Sequence, residues 1–305
     1  MKYLISCLAL VSLLSSSNAK ATAKSAYEVY QKDKSHMKNK RIAHELIEGQ
    51  FFFSAIPYIN NYLEVSSFID RELEDDIETL VMKTGAMAIL NIDESRLALF
   101  SIPSISLILG TRLFNKEEYE KAYNVLNKIP DNHKFSIEAN LIKGTIKNQK
   151  RLSIEALHLY KACSKEAETQ EGIATNEKLK RYYSYLKETC YLREARVNIE
   201  EKKYDEALEV YQKIDKRSYR WPYLLMDKAW AHYYLNDFNR TLGLTVTYKS
   251  PLLESYFFPE AEVLTALTYY NLCLWDDALK IVDHFYDFYK PKADALKDIL
   301  GQNKK

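Results

Sequence analysis

Glycine and proline are scarce in this chain, seven of each among 305 residues. That is few for a β-rich architecture, whose many turns draw on both. No excess charge of either sign is present, since 43 Lys and Arg face 42 Asp and Glu. A near-neutral chain lacks the concentrated basic surface that phosphate backbones require, so nucleic acid is not an expected partner. Catalytic motifs are missing too. The six histidines form no H-E-x-x-H and no paired spacing with cysteine, so no metal site is expected. There is no G-x-S-x-G, no phosphate-binding loop and no C-x-x-C. The expectation is no catalytic residues, no metal and no cofactor. Asp75-Asp76 and Asp276-Asp277 are adjacent carboxylates whose members point to different helix faces, and they read as solvated surface.

Long apolar runs are likewise absent, apart from Tyr3 to Leu14 behind Met1-Lys2. About a dozen apolar residues is too short to span a bilayer, which needs ~20. Followed by small residues ending Ser17-Asn18-Ala19, the run reads as a signal peptide over residues 1–19, cleaved near Ala19. Leu4-Ile5-Ser6-Cys7 looks like a lipoprotein box, but Cys7 lies within the apolar run with little before it, so outer-membrane lipidation is the lesser reading. The expected mature protein is exported to a bacterial periplasm, without a transmembrane span. Three cysteines then remain, Cys163, Cys190 and Cys273. An odd number leaves at most one internal bridge. Buried thiols on helix faces are one reading, and a Cys163–Cys190 disulfide between adjoining hairpins is the other.

What the chain has in abundance is helix-forming residues and one recurring phrase. "YDEALEVYQKI" at Tyr204–Ile214 returns as "YEKAYNVLNKI" at Tyr119–Ile129 and "WDDALKIVDHF" at Trp275–Phe285. Each places a large residue, then a small one three later, then large residues four and seven beyond that. Phe52, Ala55, Ile59 and Tyr62 follow the same pattern. Ser153–Cys163 keeps Ala156, Tyr160 and Cys163, and a weaker copy has Phe238, Thr241, Thr245 and Tyr248. Twelve residues before each later small position stands another: Gly110, Gly144, Ala195, Ala229 and Ala266. Two small residues twelve apart, on successive helices, allow the two helices of a hairpin to approach closely.

Positions 122, 156, 207, 241 and 278 are spaced by 34, 51, 34 and 37 residues. A 34-residue period with this pattern resembles the tetratricopeptide repeat (TPR) family over residues 105–290. The resemblance implies an all-α fold, an α-solenoid of TPR-like hairpins wound into a right-handed superhelix with a concave groove. The interval of 51 requires an insertion, "SKEAETQEGIATNEK" at 164–178, as a loop or a helix extension. Residues 41–104 read as degenerate hairpins: Arg41–Val65 forms one, and 68–103 carries a convincing first helix but a poor second half interrupted by Pro103. Residues 20–40 read as a basic lead-in, and 291–305 as a C-terminal helix and tail.

In this repeat family the first helix of each hairpin lines the groove. Carried onto this chain, the groove positions are Tyr223, Met226, Trp230 and Tyr233, with Arg196 before them and Leu267 and Tyr270 after. Aromatics, Met and Arg carry binding energy at protein interfaces. Packing against a neighbouring helix is the competing reading of the same residues. The stretch from Trp221 through Trp230, Gly243, Ser250-Pro251, Pro259-Glu260-Ala261 and Cys273 to Ala278 also resembles exported repeat proteins of gliding bacteria. That resemblance implies a non-enzymatic scaffold among envelope proteins, in a motility or outer-membrane-associated complex. The alternative is a periplasmic groove that captures a small ligand or peptidoglycan fragment beside a cell-wall enzyme.

Overall fold

The computed structural model describes residues 24–28, 31–32, 37–85, 92–253 and 256–302. The expected signal peptide, with Cys7, lies outside them. Among the described residues there is no strand. The chain divides into two compact units, one ending at Ile146 and one beginning at Lys147.

The first unit contains α1 (Lys38–Glu48), α2 (Phe52–Val65), α3 (Arg71–Thr84), the single turn α4 (Glu94–Leu97), α5 (Pro103–Asn115) and α6 (Tyr119–Leu126). It also holds most of α7 (Ser136–Gln149), within which the division falls. α1 pairs with α2, and α5 with α6. α3 begins where Asp70 accepts a hydrogen bond from the Leu73 amide at 3.0 Å, closing an orphan donor of the first turn. The poor second half expected over 68–103 yields only α4. Pro103 holds Ile102 in extended backbone (φ −82°, ψ 148°), so helix cannot run through from 95 to 109, and α5 starts at the proline. Arg96 fastens this connection, donating to the Leu63 carbonyl at 2.8 Å.

The second unit contains α8 (Ser153–Ile173), α9 (Glu177–Glu200), α10 (Tyr204–Gln212), α11 (Trp221–Tyr234), α12 (Phe238–Thr247), α13 (Glu260–Asn271) and α14 (Trp275–Gln302). The insertion at 164–178 lengthens α8 and brings forward the start of α9, which Asn176 caps by accepting from the Leu179 amide at 2.9 Å. Cys163 and Cys190 form a disulfide between these two long helices, with 6.0 Å between their Cα atoms. Residues 291–302 are no separate element: α14 runs straight through Pro291.

The small residues lie at the helix crossings. Ala55, Ala122, Ala156, Ala195, Ala207 and Ala229 are wholly enclosed. A β-carbon on Gly110 would stand 2.4 Å from Leu126 Cγ, so only glycine fits where α5 crosses α6. Where threonine replaces the alanine, the Thr241 hydroxyl lies 3.4 Å from the Ala229 carbonyl, twelve residues back, and donates to the Asp237 carbonyl at 3.0 Å. Four residues past the small position, Ile59, Leu126, Tyr160 and Tyr211 are completely buried, each worth roughly 1.5–3 kcal/mol of transfer free energy.

One further regularity is invisible in the residue types. Gln50, Glu117, Arg151, Lys202, Asn236 and Cys273 all adopt left-handed backbone, with φ between 59° and 63°. Each stands five residues before a small position: 55, 122, 156, 207, 241 and 278. At each turn the next amide donates to the carbonyl five residues back, as Lys203 does to Asn198 at 2.8 Å and Leu274 to Tyr269 at 2.9 Å. This bond satisfies the carbonyls orphaned at the helix end. Six helix ends among the described residues thus turn by one mechanism, including the one before Ala55 in the region that sequence alone marks as degenerate.

Candidate functional site

In the second unit, the first helices of successive hairpins, α9, α11 and α13, are joined by polar side chains. Arg196 of α9 pairs with Asp227 of α11, Nε to Oδ2 at 3.2 Å. Trp230 donates its indole N–H to Glu260 of α13 at 2.6 Å. Asn271 donates to the Tyr233 hydroxyl at 2.8 Å. Arg196, Trp230 and Tyr233 are groove positions expected from the sequence, and the structure connects all three to the adjoining first helix. Their partners Asp227, Glu260 and Asn271 were not singled out by sequence reading. Glu260 occupies the same repeat position as Tyr223, so the repeat frame held that signal; Asp227 and Asn271 fall one place outside it.

Tyr223 is half exposed, its ring edge-on to Phe258 at 5.4 Å and to Tyr256 at 5.9 Å. Tyr270 is also well exposed, edge-on to Trp275 at 4.8 Å, and Leu267 is open beside it. Trp230 stacks on Tyr234 at 5.8 Å, and Tyr234 stacks on Tyr204 at 5.0 Å. Met226 is different. It is only 5% exposed and packs with Ala229, Ala261 and Leu264, so this groove candidate is a core residue. A position facing the next hairpin is covered when that hairpin supplies residues as close as Ala261.

Burial raises the Asp227 carboxyl above its ordinary range, against the pull of Arg196. Burial likewise raises the Tyr211 hydroxyl beneath this pair. Such an arrangement positions charges and rings between α9 and α11. His232, half-buried on α11, lies 3.4 Å from Asp237, with burial lowering its pKa.

The first unit has its own polar cluster, which packs helices together. Asp76 is buried and lies 3.0 Å from His44 Nδ1, so the solvated reading of Asp75-Asp76 holds only for exposed Asp75. Lys40 joins Asp70 and Glu72, both at 2.6 Å. These contacts pin α1 to α3. Among the described residues, no group of three His, Cys, Asp or Glu is placed to hold a metal ion. Among the same residues, no helix is long and apolar enough to cross a membrane.

No family model matches the chain, and no curated protein matches it. A solved helical-repeat structure does: the apo form of RapI superposes with a TM-score of 0.51 at 12% identity, covering 91% of this chain and 77% of that one. At that identity the likeness concerns the fold alone, and the fold is an all-α helical repeat of TPR-like hairpins.

Proposed function

We propose that this chain is a non-enzymatic, protein-binding scaffold of the bacterial cell envelope, within a motility or outer-membrane-associated complex. One observation carries the binding reading: exposed Tyr223, Leu267 and Tyr270 flank a belt of half-buried Trp230 and Tyr233 held by inter-helix hydrogen bonds. Ordered aromatics with few rotors give large contact area at small entropic cost. The envelope assignment draws on the signal-like N-terminus, and a Cys163–Cys190 disulfide suits an oxidising compartment. Other envelope proteins or peptides are the partners this reading expects.

The test is affinity capture from envelope extract with quantitative mass spectrometry, comparing the native chain with Tyr223→Ala and Trp230→Ala. Specific proteins retained by the native chain should fall by roughly 30-fold with either variant, the effect of losing a hot-spot aromatic. Equal recovery by all three chains would refute the face.

The stacked Trp230, Tyr234 and Tyr204 rings favour a second reading, in which flat aromatic faces receive a glycan such as a peptidoglycan fragment. Cosedimentation with isolated sacculi, lost in Trp230→Ala, would support that reading over the first.

A further inference from the structure

Among the described residues, α14 alone of the second helices leaves open its motif residue past the small position: Val282 corresponds to buried Ile59, Leu126, Tyr160 and Tyr211, yet is 38% exposed. With Trp275 and Leu279 it lines an apolar groove of about 380 Å³ walled by Ala266, Leu267 and Tyr270 of α13. In a stack of hairpins the next helix would lie in such a groove. Here α14 runs on instead. Its 28 residues span about 42 Å against about 18 Å for the 12 of α13, so its second half projects beyond its partner.

The projecting half continues one apolar line. From Trp275 the series steps to Leu279, Val282 and Tyr286, then Tyr289 and Ala293, then Leu296 and Leu300. The steps are four and three in strict alternation, the seven-residue repeat of a coiled-coil seam. Trp275, Leu279, Tyr286, Leu296 and Leu300 are each at least half exposed. The inward side of the helix uses a line through Ala278, Ile281 and Phe285, and Tyr289 of the seam also turns partly inward, edge-on to Phe257 at 5.7 Å. Pro291, which lacks an amide proton, falls on the side opposite the seam, where a partner helix does not reach.

Charge along the outer flank of the seam identifies the partner. At seven-residue intervals beside it stand Asp276, Asp283, Lys290 and Lys297. Two acids occupy the first half and two bases the second, so the helix complements itself when reversed. An antiparallel copy sets Asp276 against the copy's Lys297 and Asp283 against the copy's Lys290. Both pairings share one centre, beside Tyr286. The same register brings the copy's Leu296 and Leu300 over Leu279 and Trp275, into the open groove. The inner flank bears Ala278, Phe285, Lys292 and Ile299, and in the first half α13 occupies that side.

We propose that two copies of this chain associate through an antiparallel pairing of α14, each projecting half lying in the open groove of the other copy's α13–α14 hairpin. The interface is isologous, as two-fold symmetry requires. It covers Leu267 and Tyr270, two residues of the binding face proposed above, and leaves Arg196, Tyr223 and Trp230 outside the seam as the part of that face open to another protein.

Asp276 and Lys297 are both exposed, Asp276 in the first turn of α14 and Lys297 4.0 Å from Asp294, so a helical circular-dichroism spectrum matching the native chain's first checks that each variant folds. Sedimentation velocity on the full chain at about 50 µM should show a dimer. Asp276→Lys and Lys297→Glu should each weaken it by about tenfold, because every copy then meets like charge at two symmetric sites. Mixing the two variants should restore the dimer, since each then supplies the charge the other lacks. A native chain that stays monomeric would overturn the proposal. So would single variants that associate like the native chain, or a mixture no tighter than its components.

Discussion

Replacing Gly110 with alanine adds one methyl group to a helix interior, and elsewhere that change stabilises. Alanine is favoured over glycine within helices by about 1 kcal/mol. At Gly110 the new carbon would lie 2.4 Å from Leu126 Cγ and 2.5 Å from its Cδ2, more than an ångström inside ordinary contact. Leu126 is fully buried and its Cγ is not a flexible tip. α5 and α6 must therefore separate or Leu126 must leave its rotamer, an overpacking cost of roughly 1–3 kcal/mol. The expected net loss is about 1 kcal/mol, and about 2 at the upper end of that range. Gly243 is the control. It too lies within a helix, but nothing stands within 4 Å of a β-carbon there, so Gly243→Ala should stabilise by about 0.5–1 kcal/mol. Urea unfolding followed by circular dichroism at 222 nm reads both. A second arm isolates the cause: in a Leu126→Ala background the clash is gone, and Gly110→Ala should become stabilising. If Gly110→Ala raises stability as Gly243→Ala does, small residues are not what sets the hairpin spacing.

Three other outcomes follow from particular contacts. Glu78 lies between His133, at 3.2 Å, and Lys134, and these partners hold its carboxyl down at about 2. Its folded pKa is below the unfolded value of 4.5, so this contribution is present above pH 4.5 and is lost as pH falls towards 2. The full shift corresponds to about 3 kcal/mol, and partial solvent exposure reduces the expected effect of Glu78→Gln at pH 7 to about 1 kcal/mol. Thermal melts at pH 7 and pH 2.5 should show that difference shrinking on acidification. Glu117→Gly and Arg151→Gly relieve side chains from left-handed backbone and should each stabilise by about 0.5–1 kcal/mol in urea titrations, whereas glycine at a right-handed helical site would destabilise. Removing the Cys163–Cys190 link, which closes 27 residues, should cost about 2–4 kcal/mol, measured as a shift in urea midpoint on adding reductant.

Much of this molecule could be read from residue types because its packing recurs. Ala122, Ala156, Ala207 and Thr241 announce their crossings by size, and the large residues four positions later announce the core. The hairpin turns were illegible for a physical reason. A left-handed C-terminal cap is usually recognised by glycine, and here the six positions hold Gln, Glu, Arg, Lys, Asn and Cys. Pro103 correctly warned of a broken second helix, yet only the structure shows Arg96 closing the gap. In the candidate site, exposed Tyr223 and Tyr270 emerged directly from the repeat frame. Met226 did not separate from them, since a groove position and a covered one share the same register until the neighbouring hairpin is placed. Asp227 and Asn271 were missed because their role lies in pairing between helices, which no single repeat displays.

The central claim is that α9, α11 and α13 present the surface on which another protein rests. Hydrogen–deuterium exchange of the full chain, alone and with a captured partner, tests it most directly. Peptides spanning 189–199 and 221–234 should slow their exchange on binding, while those spanning 204–212 and 238–247, the second helices, should not change. Protection confined to the second helices or to residues before 147 would contradict the account.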